Sequence, residues 1–138
     1  MSTFKIFDIA GSAVAAQTVR LNTVASNLAN SSSVSSTPEG TYRARLPIFE
    51  AVRGELMGRD AGAAVRVREV IESDAPPNSR YEPGNPLADA NGFVYTPDIS
   101  AVEQITDMVS ASRSYQNNIE VMRTTRDLML ATLRLGRE

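Results

Sequence analysis

Residues 4–30 read FKIFDIAGSAVAAQTVRLNTVASNLAN, and this run decides the fold. It holds no proline and one glycine, Gly11, and its apolar side chains recur at Phe7, Ala10, Val14, Leu21, Val24 and Leu28, with Gln17 filling the gap. Alternating steps of three and four place these residues on one side of an α-helix, in the spacing of a coiled-coil seam. A helix of that length spans roughly 40 Å. The serine run from Ser31, followed by Thr37, Pro38, Glu39 and Gly40, ends it, because these residues offer local hydrogen bonds or fixed dihedrals in place of helix.

A second helix is written at the other end of the chain. Ser100-Ala101-Val102-Glu103 has the form of a capping box, in which each of the two polar side chains satisfies a free backbone donor at the other's position. From there to Leu135 there is neither Pro nor Gly, which gives a helix of roughly 54 Å. Ile105, Met108, Ser112, Tyr115, Ile119, Met122, Met129 and Leu133 fall at three-four spacing, and Arg126 is the one poor fit in that seam.

Between the helices, from Thr41 to Asp98, the character changes. Val65-Arg66-Val67-Arg68 alternates like a half-buried strand, Phe93-Val94-Tyr95 follows an Asn91-Gly92 turn signal, and Tyr42 to Val52 supplies another strand. Pro76-Pro77 and Pro83-Gly84 mark tight, extended turns. The expected fold is mainly α with a small β-rich insertion. An N-terminal helix occupies residues 1–36, a β-hairpin-like region 37–98 and a C-terminal helix 99–138, the two helices forming an antiparallel coiled-coil hairpin.

Composition narrows the function. Cys and His are both absent, which removes thiolate nucleophiles, imidazole bases, the common triads and the usual zinc sites; no cofactor, catalytic or metal residue is expected. A formal net charge of −2 gives no basic field for nucleic acid. Lys5 is the sole lysine, and the arginines that make up the remaining basic residues suit partly buried ion pairs. Met1 to Ala10 carries Lys5 and Asp8 and lacks the apolar run of a secretory signal, and no stretch is apolar enough to enter lipid.

Two features reach beyond a self-sufficient helical hairpin. Between Gly11 and Asn30 the only charge is Arg20, and the side opposite the seam carries Ser12, Thr18, Asn22, Ser26, Asn27 and Asn30 where a water-washed face would carry Lys and Glu; such a face suggests packing against other protein. On the second helix Val121, Leu128 and Leu135 lie seven apart and off the seam, so one partner helix cannot cover them. Either neighbouring subunits or the folded-back middle region would do so. A two-helix hairpin also buries little against the entropy of ordering it, so the isolated helices should be marginal.

Val24-Ala25-Ser26-Asn27-Leu28-Ala29-Asn30 resembles the N-terminal signature of the bacterial flagellar rod, hook and hook-associated proteins. Phe7-Asp8-Ile9-Ala10-Gly11-Ser12, Arg20-Leu21-Asn22-Thr23, Thr37-Pro38-Glu39-Gly40, Tyr42-Arg43 and Phe49-Glu50-Ala51 are similar to the proximal rod subunits of that family. So are Asp74 to Pro77, Tyr81-Glu82-Pro83-Gly84 with Pro86, Asn91-Gly92-Phe93-Val94 and the run Asp107 to Tyr115. Ser31 to Ser36 departs from the short Ala, Asn and Thr stretch of relatives. The resemblance implies a structural subunit of the proximal rod that helps transmit motor torque. It also implies packing beside copies of itself, the sister proteins FlgB, FlgF and FlgG and the adaptor FliE, and export through the flagellar type III apparatus into the periplasm without a Sec signal.

On this reading the assembly interface runs through Phe7, Val14, Leu21, Val24, Ala25, Ser26, Asn27, Leu28, Ala29 and Asn30 of the first helix. The second helix contributes Ile105, Met108, Ser112, Arg113, Tyr115, Ile119, Met122, Leu128, Met129 and Leu133. Asn27 and Asn30 are either hydrogen-bonders between subunits or helix-terminal polar groups, and Tyr115 either an interface anchor or seam filling. Two competing readings are an enzyme built on Glu69, Glu72 and Asp74 beside Arg66 and Arg68, where paired carboxylates suit glycosidic chemistry, and a soluble secretion adaptor or chaperone with a helical hairpin.

Overall fold

The computed structural model describes residues 3–52 and 62–136. Its elements are α1 (Thr3–Asn30), β1 (Arg45–Val52), β2 (Ala64–Glu72), β3 (Asn78–Tyr81), β4 (Phe93–Thr96) and α2 (Ala101–Leu135). The two terminal helices pack on each other and the strands form two separate antiparallel pairs, β1 with β2 and β3 with β4. This is the helical hairpin with a small β-rich middle that the spacing predicts.

Each helix ends for a local reason. The hydroxyls of Ser31 and Ser33 donate to the carbonyls of Leu28 and Asn30, both at 2.8 Å, and so occupy acceptors that the helix leaves free at its C-terminus. Ser35 then forms a bridge with Tyr95, N–H to carbonyl in both directions at 2.9 Å, which ties the serine run to β4. At the start of α2, Ser100 is extended (φ −80°, ψ 110°) and its hydroxyl accepts from the N–H of Glu103 at 3.3 Å. Among the described residues, the return bond from the Glu103 side chain that a full capping box requires is not formed.

Helix–helix register follows from three contacts. Asn27 meets Gln104, Arg20 meets Asp107, and a Cβ on Gly11 would lie 3.9 Å from the tip of Met122, so the helices run antiparallel. Extending the register sets Thr3 beside the turn around Met129, and the last turns of α2 run past the start of α1. On α2 the inward positions are Gln104, Met108, Ala111, Tyr115, Asn118, Met122, Thr125 and Met129, a four-three alternation in which Ala111 and Thr125 are fully buried.

That seam corrects the expected one by half. Met108, Tyr115, Met122 and Met129 stand as expected, whereas the alternate positions move back by one residue, from Ile105, Ser112, Ile119 and Arg126 to Gln104, Ala111, Asn118 and Thr125. Arg126 is therefore no misfit, since it points to water. Ile105 is half exposed, and Leu133 is 67% exposed because it sits on the overhang where α1 offers no neighbour.

The β1–β2 hairpin lies along α1. Its register pairs Arg45 with Glu72 and Val52 with Ala64, with a bulge between Ile48 and Phe49. One end is held where the Val65 N–H donates to the Ser12 hydroxyl at 3.1 Å, the other where Asn27 grips Arg45. Fifteen helical residues from Ser12 to Asn27 cover ~22 Å, and the strand from Arg45 to Val52 covers ~23 Å, so β1 runs back along the helix for its whole length. Val65 and Val67 are half-buried and Arg66 and Arg68 exposed, as their alternation requires.

The β3–β4 pair joins Asn78 to Thr96 and Tyr81 to Phe93. Asn91-Gly92 does not make a two-residue hairpin turn; it closes a longer loop over residues 82–92 that folds around Asp89. One Asp89 oxygen accepts from the N–H groups of Asn91 (2.8 Å) and Phe93 (2.9 Å), the other from the Tyr95 hydroxyl (3.2 Å). Gly92 has φ +82°, the left-handed region that favours glycine. Tyr81 and Phe93 stack edge to face with ring centres 5.3 Å apart. The fully buried apolar side chains, Ala10, Ala16, Val24, Val94 and Ala111, are small, so polar contacts supply much of the cohesion.

Candidate assembly surfaces

Asn27, expected on the polar side of α1 opposite the seam, turns inward instead, and a polar group buried there needs partners. It is 2% exposed. Its carboxamide Nδ2 donates to the Arg45 carbonyl (2.9 Å) and to Gln104 Oε1 (3.2 Å), and its Oδ1 accepts from the Arg45 N–H (2.9 Å) and the Tyr42 hydroxyl (3.0 Å). All four positions of the carboxamide are filled within the chain. Tyr42 also meets the Ser26 hydroxyl at 3.0 Å, and the Arg45 guanidinium lies over the Tyr42 ring at 5.9 Å. Asn27 is therefore a junction of α1, β1 and α2, with no capacity left for a neighbour. Asn30 donates to the Ser26 carbonyl at 2.8 Å, the helix-terminal alternative.

The polar side of α1 is accordingly covered in part from within. Ser12, Ser26 and Asn27 face this chain's own β1–β2 hairpin and the segment leading to it, and of the expected outward set only Thr18 and Asn22 stay exposed. A stripe of Ala15, Thr18, Asn22, Ala25 and Ala29 remains open on α1 and carries no charge. Arg20 pairs with Asp107 across the helices, its Nε 3.4 Å from Oδ2 and its terminal nitrogen on Oδ1. Phe7, Val14, Leu21 and Leu28 are half-buried and Val24 fully buried, so they serve the internal seam first. Gln17 Oε1 is buried without a hydrogen-bond partner among the described residues.

α2 keeps most of its free apolar surface. Val121, Leu128 and Leu135 are all exposed, so the described residues of the middle region do not cover them. Arg113 is exposed, and Ser112, Tyr115 and Ile119 are half-buried on the edge of the seam. Val102, Ile105 and Val109 add a second exposed stripe at the other end of the helix, one that the heptad reading missed because it assigned Ile105 to the seam. At the overhanging end, Leu130 and Leu133 are open, as is Phe4 at the start of α1. These patches are more apolar surface than one two-helix hairpin can hide.

The strand carboxylates stand against arginines in water. Arg66 pairs with Glu50, Arg68 with Glu69 at 2.7 Å and Arg45 with Glu72 at 3.9 Å, all with substantial exposure. Such pairs are ordinary solvated strand charges. Among the described residues no group of acidic side chains is placed to hold a metal ion, and no helix is long and apolar enough to cross a membrane.

Comparison with known proteins points the same way. Residues 7–35 match the family model described as flagella basal body rod protein, and residues 90–135 the model described as flagellar basal body rod FlgEFG protein C-terminal. The chain is 51% identical over 138 residues to the flagellar basal-body rod protein FlgC of Salmonella typhimurium, with 99% of each chain covered. It is 47% identical to the FlgC of Yersinia enterocolitica, again over 99% of each, and 41% identical to that of Aquifex aeolicus over 96% of each.

Proposed function

The chain belongs to the FlgC family of flagellar basal-body rod proteins, and from that premise we propose that this structural, non-enzymatic subunit polymerises through its terminal helices into the drive shaft that transmits torque. The observation that carries the mechanism is the apolar surface left on α2 after α1 has packed, from Val102 and Ile105 at one end to Leu133 and Leu135 at the other. Burial of one such side chain contributes ~1.5 to 3 kcal/mol. Several buried together in each contact offset the entropy lost when subunits order against one another.

The interface joins the exposed members of the expected set, Ala25 and Ala29 on α1 and Ile105, Arg113, Leu128 and Leu133 on α2. The half-buried Phe7, Val14, Leu21, Leu28, Tyr115, Met122 and Met129 support them from the seam, and Ser112 and Ile119 from its edge. Arg113 and Tyr115 suit this role, one through planar ion pairs and the other through an amphipathic ring. The partners are copies of this chain, the sister rod proteins FlgB, FlgF and FlgG, and the adaptor FliE. Delivery into the periplasm through the flagellar type III apparatus fits helices held by a small-residue, partly polar seam.

The test is isolation of basal bodies from cells whose only copy carries Leu133→Asp. The expected result is a folded protein at normal abundance, missing from the rod, in non-motile cells. Normal swimming with the variant in the rod would sink the reading. Protein that stays in the cytosol bound to an export substrate would favour a secretion chaperone.

A further inference from the structure

Asn91-Gly92 is the single place in the sequence where a glycine follows an asparagine. With no side chain on Gly92 to block the approach, its backbone nitrogen can attack the carboxamide carbon of Asn91. A C–N bond forms, ammonia leaves, and the cyclic imide then takes up one water to give aspartate or isoaspartate. Asn91 is exposed, so water has access to it. The loop cannot escape this chemistry by changing residue 92, because φ there is +82° and a Cβ would lie 2.8 Å from Tyr81 Cε2.

The folded loop holds the pair in a geometry that opposes the attack. The Gly92 N–H donates to the Asp89 carbonyl at 3.0 Å, and the Gly92 carbonyl accepts from the Glu82 N–H at 2.8 Å. Neither Ala90 nor Asn91 has a positive φ, and no peptide bond is cis among the described residues. The turn from Asp89 to Gly92 is therefore type I, which sets ψ of Asn91 at about 0°. Ring closure needs the Gly92 nitrogen to eclipse the Asn91 Cβ about the Cα–C bond, and at that ψ it is turned well away. The Asp89 side chain fixes the turn by accepting from the N–H groups of Asn91 (2.8 Å) and Phe93 (2.9 Å). We infer that Asn91 is a latent site of deamidation, kept as asparagine by the Asp89 turn and converted when the loop opens. The product places a new carboxylate beside that of Asp89, and isoaspartate also lengthens the backbone inside the turn, so the modified loop closes less well. Conversion thus marks chains whose loop has stood open.

The test incubates the purified full chain at neutral pH, in buffer and in urea, and follows residue 91 by peptide mapping for aspartate and isoaspartate. Conversion should be at least about tenfold slower in buffer, since it proceeds only from the opened loop. Asn85 lies in the same loop but precedes Pro86, which has no N–H to attack with, and it should stay an amide in both. Equal rates in buffer and urea overturn the protection, and equal conversion of Asn85 and Asn91 in urea overturns the chemistry. Asp89→Ala should raise the rate in buffer about tenfold, and an unchanged rate in a folded variant overturns the part given to Asp89. Should Asp89→Ala fail to fold, amide hydrogen exchange of the unsubstituted chain decides. Slow exchange at Asn91, Gly92 and Phe93 supports the closed turn, and exchange as fast as in urea overturns it.

Discussion

The carboxamide of Asn27 pairs with Arg45 as a neighbouring strand would, taking both its N–H and its carbonyl at 2.9 Å. Those two groups lie on the free edge of β1, because the Ser73 N–H bonds the Ala44 carbonyl and alternate residues point the other way. Two positions along that edge is Pro47, which has no N–H to offer. A helix side chain and a proline thus close an edge that would otherwise invite pairing with another chain.

Asn27→Ala should lower stability by about 2 to 4 kcal/mol, since it leaves the Arg45 backbone and Gln104 without their buried partner. Thermal melting of the purified variant measures it. A change below about 0.5 kcal/mol, the range of an ordinary surface substitution, would show that the junction is not structural.

Arg20 and Asp107 link the helices at a partly exposed position, with side-chain exposures of 25% and 38%. A double-mutant cycle with Arg20→Ala and Asp107→Ala should return a coupling of about 0.5 to 1 kcal/mol, falling as salt rises. Coupling indistinguishable from zero at low salt would count against the pair.

Gly92 and Gly84 provide a matched test within one loop. A Cβ on Gly92 would lie 2.8 Å from Tyr81 Cε2 and 3.2 Å from Pro83 Cβ at a positive φ, whereas one on Gly84 would meet nothing within 4 Å. Gly92→Ala should cost about 1 to 3 kcal/mol, and Gly84→Ala less than about 0.5 kcal/mol. Equal melting temperatures for the two variants would contradict the loop geometry.

Asp89 and Tyr95 should shape the pH dependence of the β3–β4 loop. The N–H of Phe93 holds the Asp89 carboxyl below its ordinary 3.8 against the opposing effect of burial, helped by the N–H of Asn91, the Tyr95 hydroxyl and the N–H of Gly92. Its contribution is therefore complete above that value and is lost as pH falls through the lower folded value. The Tyr95 hydroxyl is raised above its ordinary 10.0 by its bond to Asp89, then by burial and by the charges of Asp89 and Glu39. That contribution is complete below 10.0 and is lost as pH rises through the folded value. Asp89→Asn should flatten the acid side of a melting-temperature profile and Tyr95→Phe the alkaline side. Unchanged slopes would refute the assignment.

Much of the fold was legible because it is local. Residues 4–30 specify a helix by spacing and by the lack of Pro and Gly, Ser100 marks the start of α2, and Val65 to Arg68 alternate at the strand period. The apolar surplus on α2 was also readable, since Val121, Leu128 and Leu135 fall off any single seam. The family followed from residues 24–30 and the motifs around them.

Sequence alone determined the two helices, three of the four strands between them and the surplus apolar surface, because periodicity and capping act over a few residues; β3, Asn78–Tyr81, is exposed along its whole length and carries no such alternation. Only the tertiary structure decided which half of the α2 heptad turns inward, since Thr125 can be buried against α1 where the charged Arg126 cannot, and the choice depends on what α1 presents. The same holds for Asn27. The spacing sets it on the polar side of α1, opposite the seam, yet its partners Arg45 and Gln104 lie 18 and 77 residues further along the chain, and hydrogen bonds over such separations are set by how the hairpin lies on the helix.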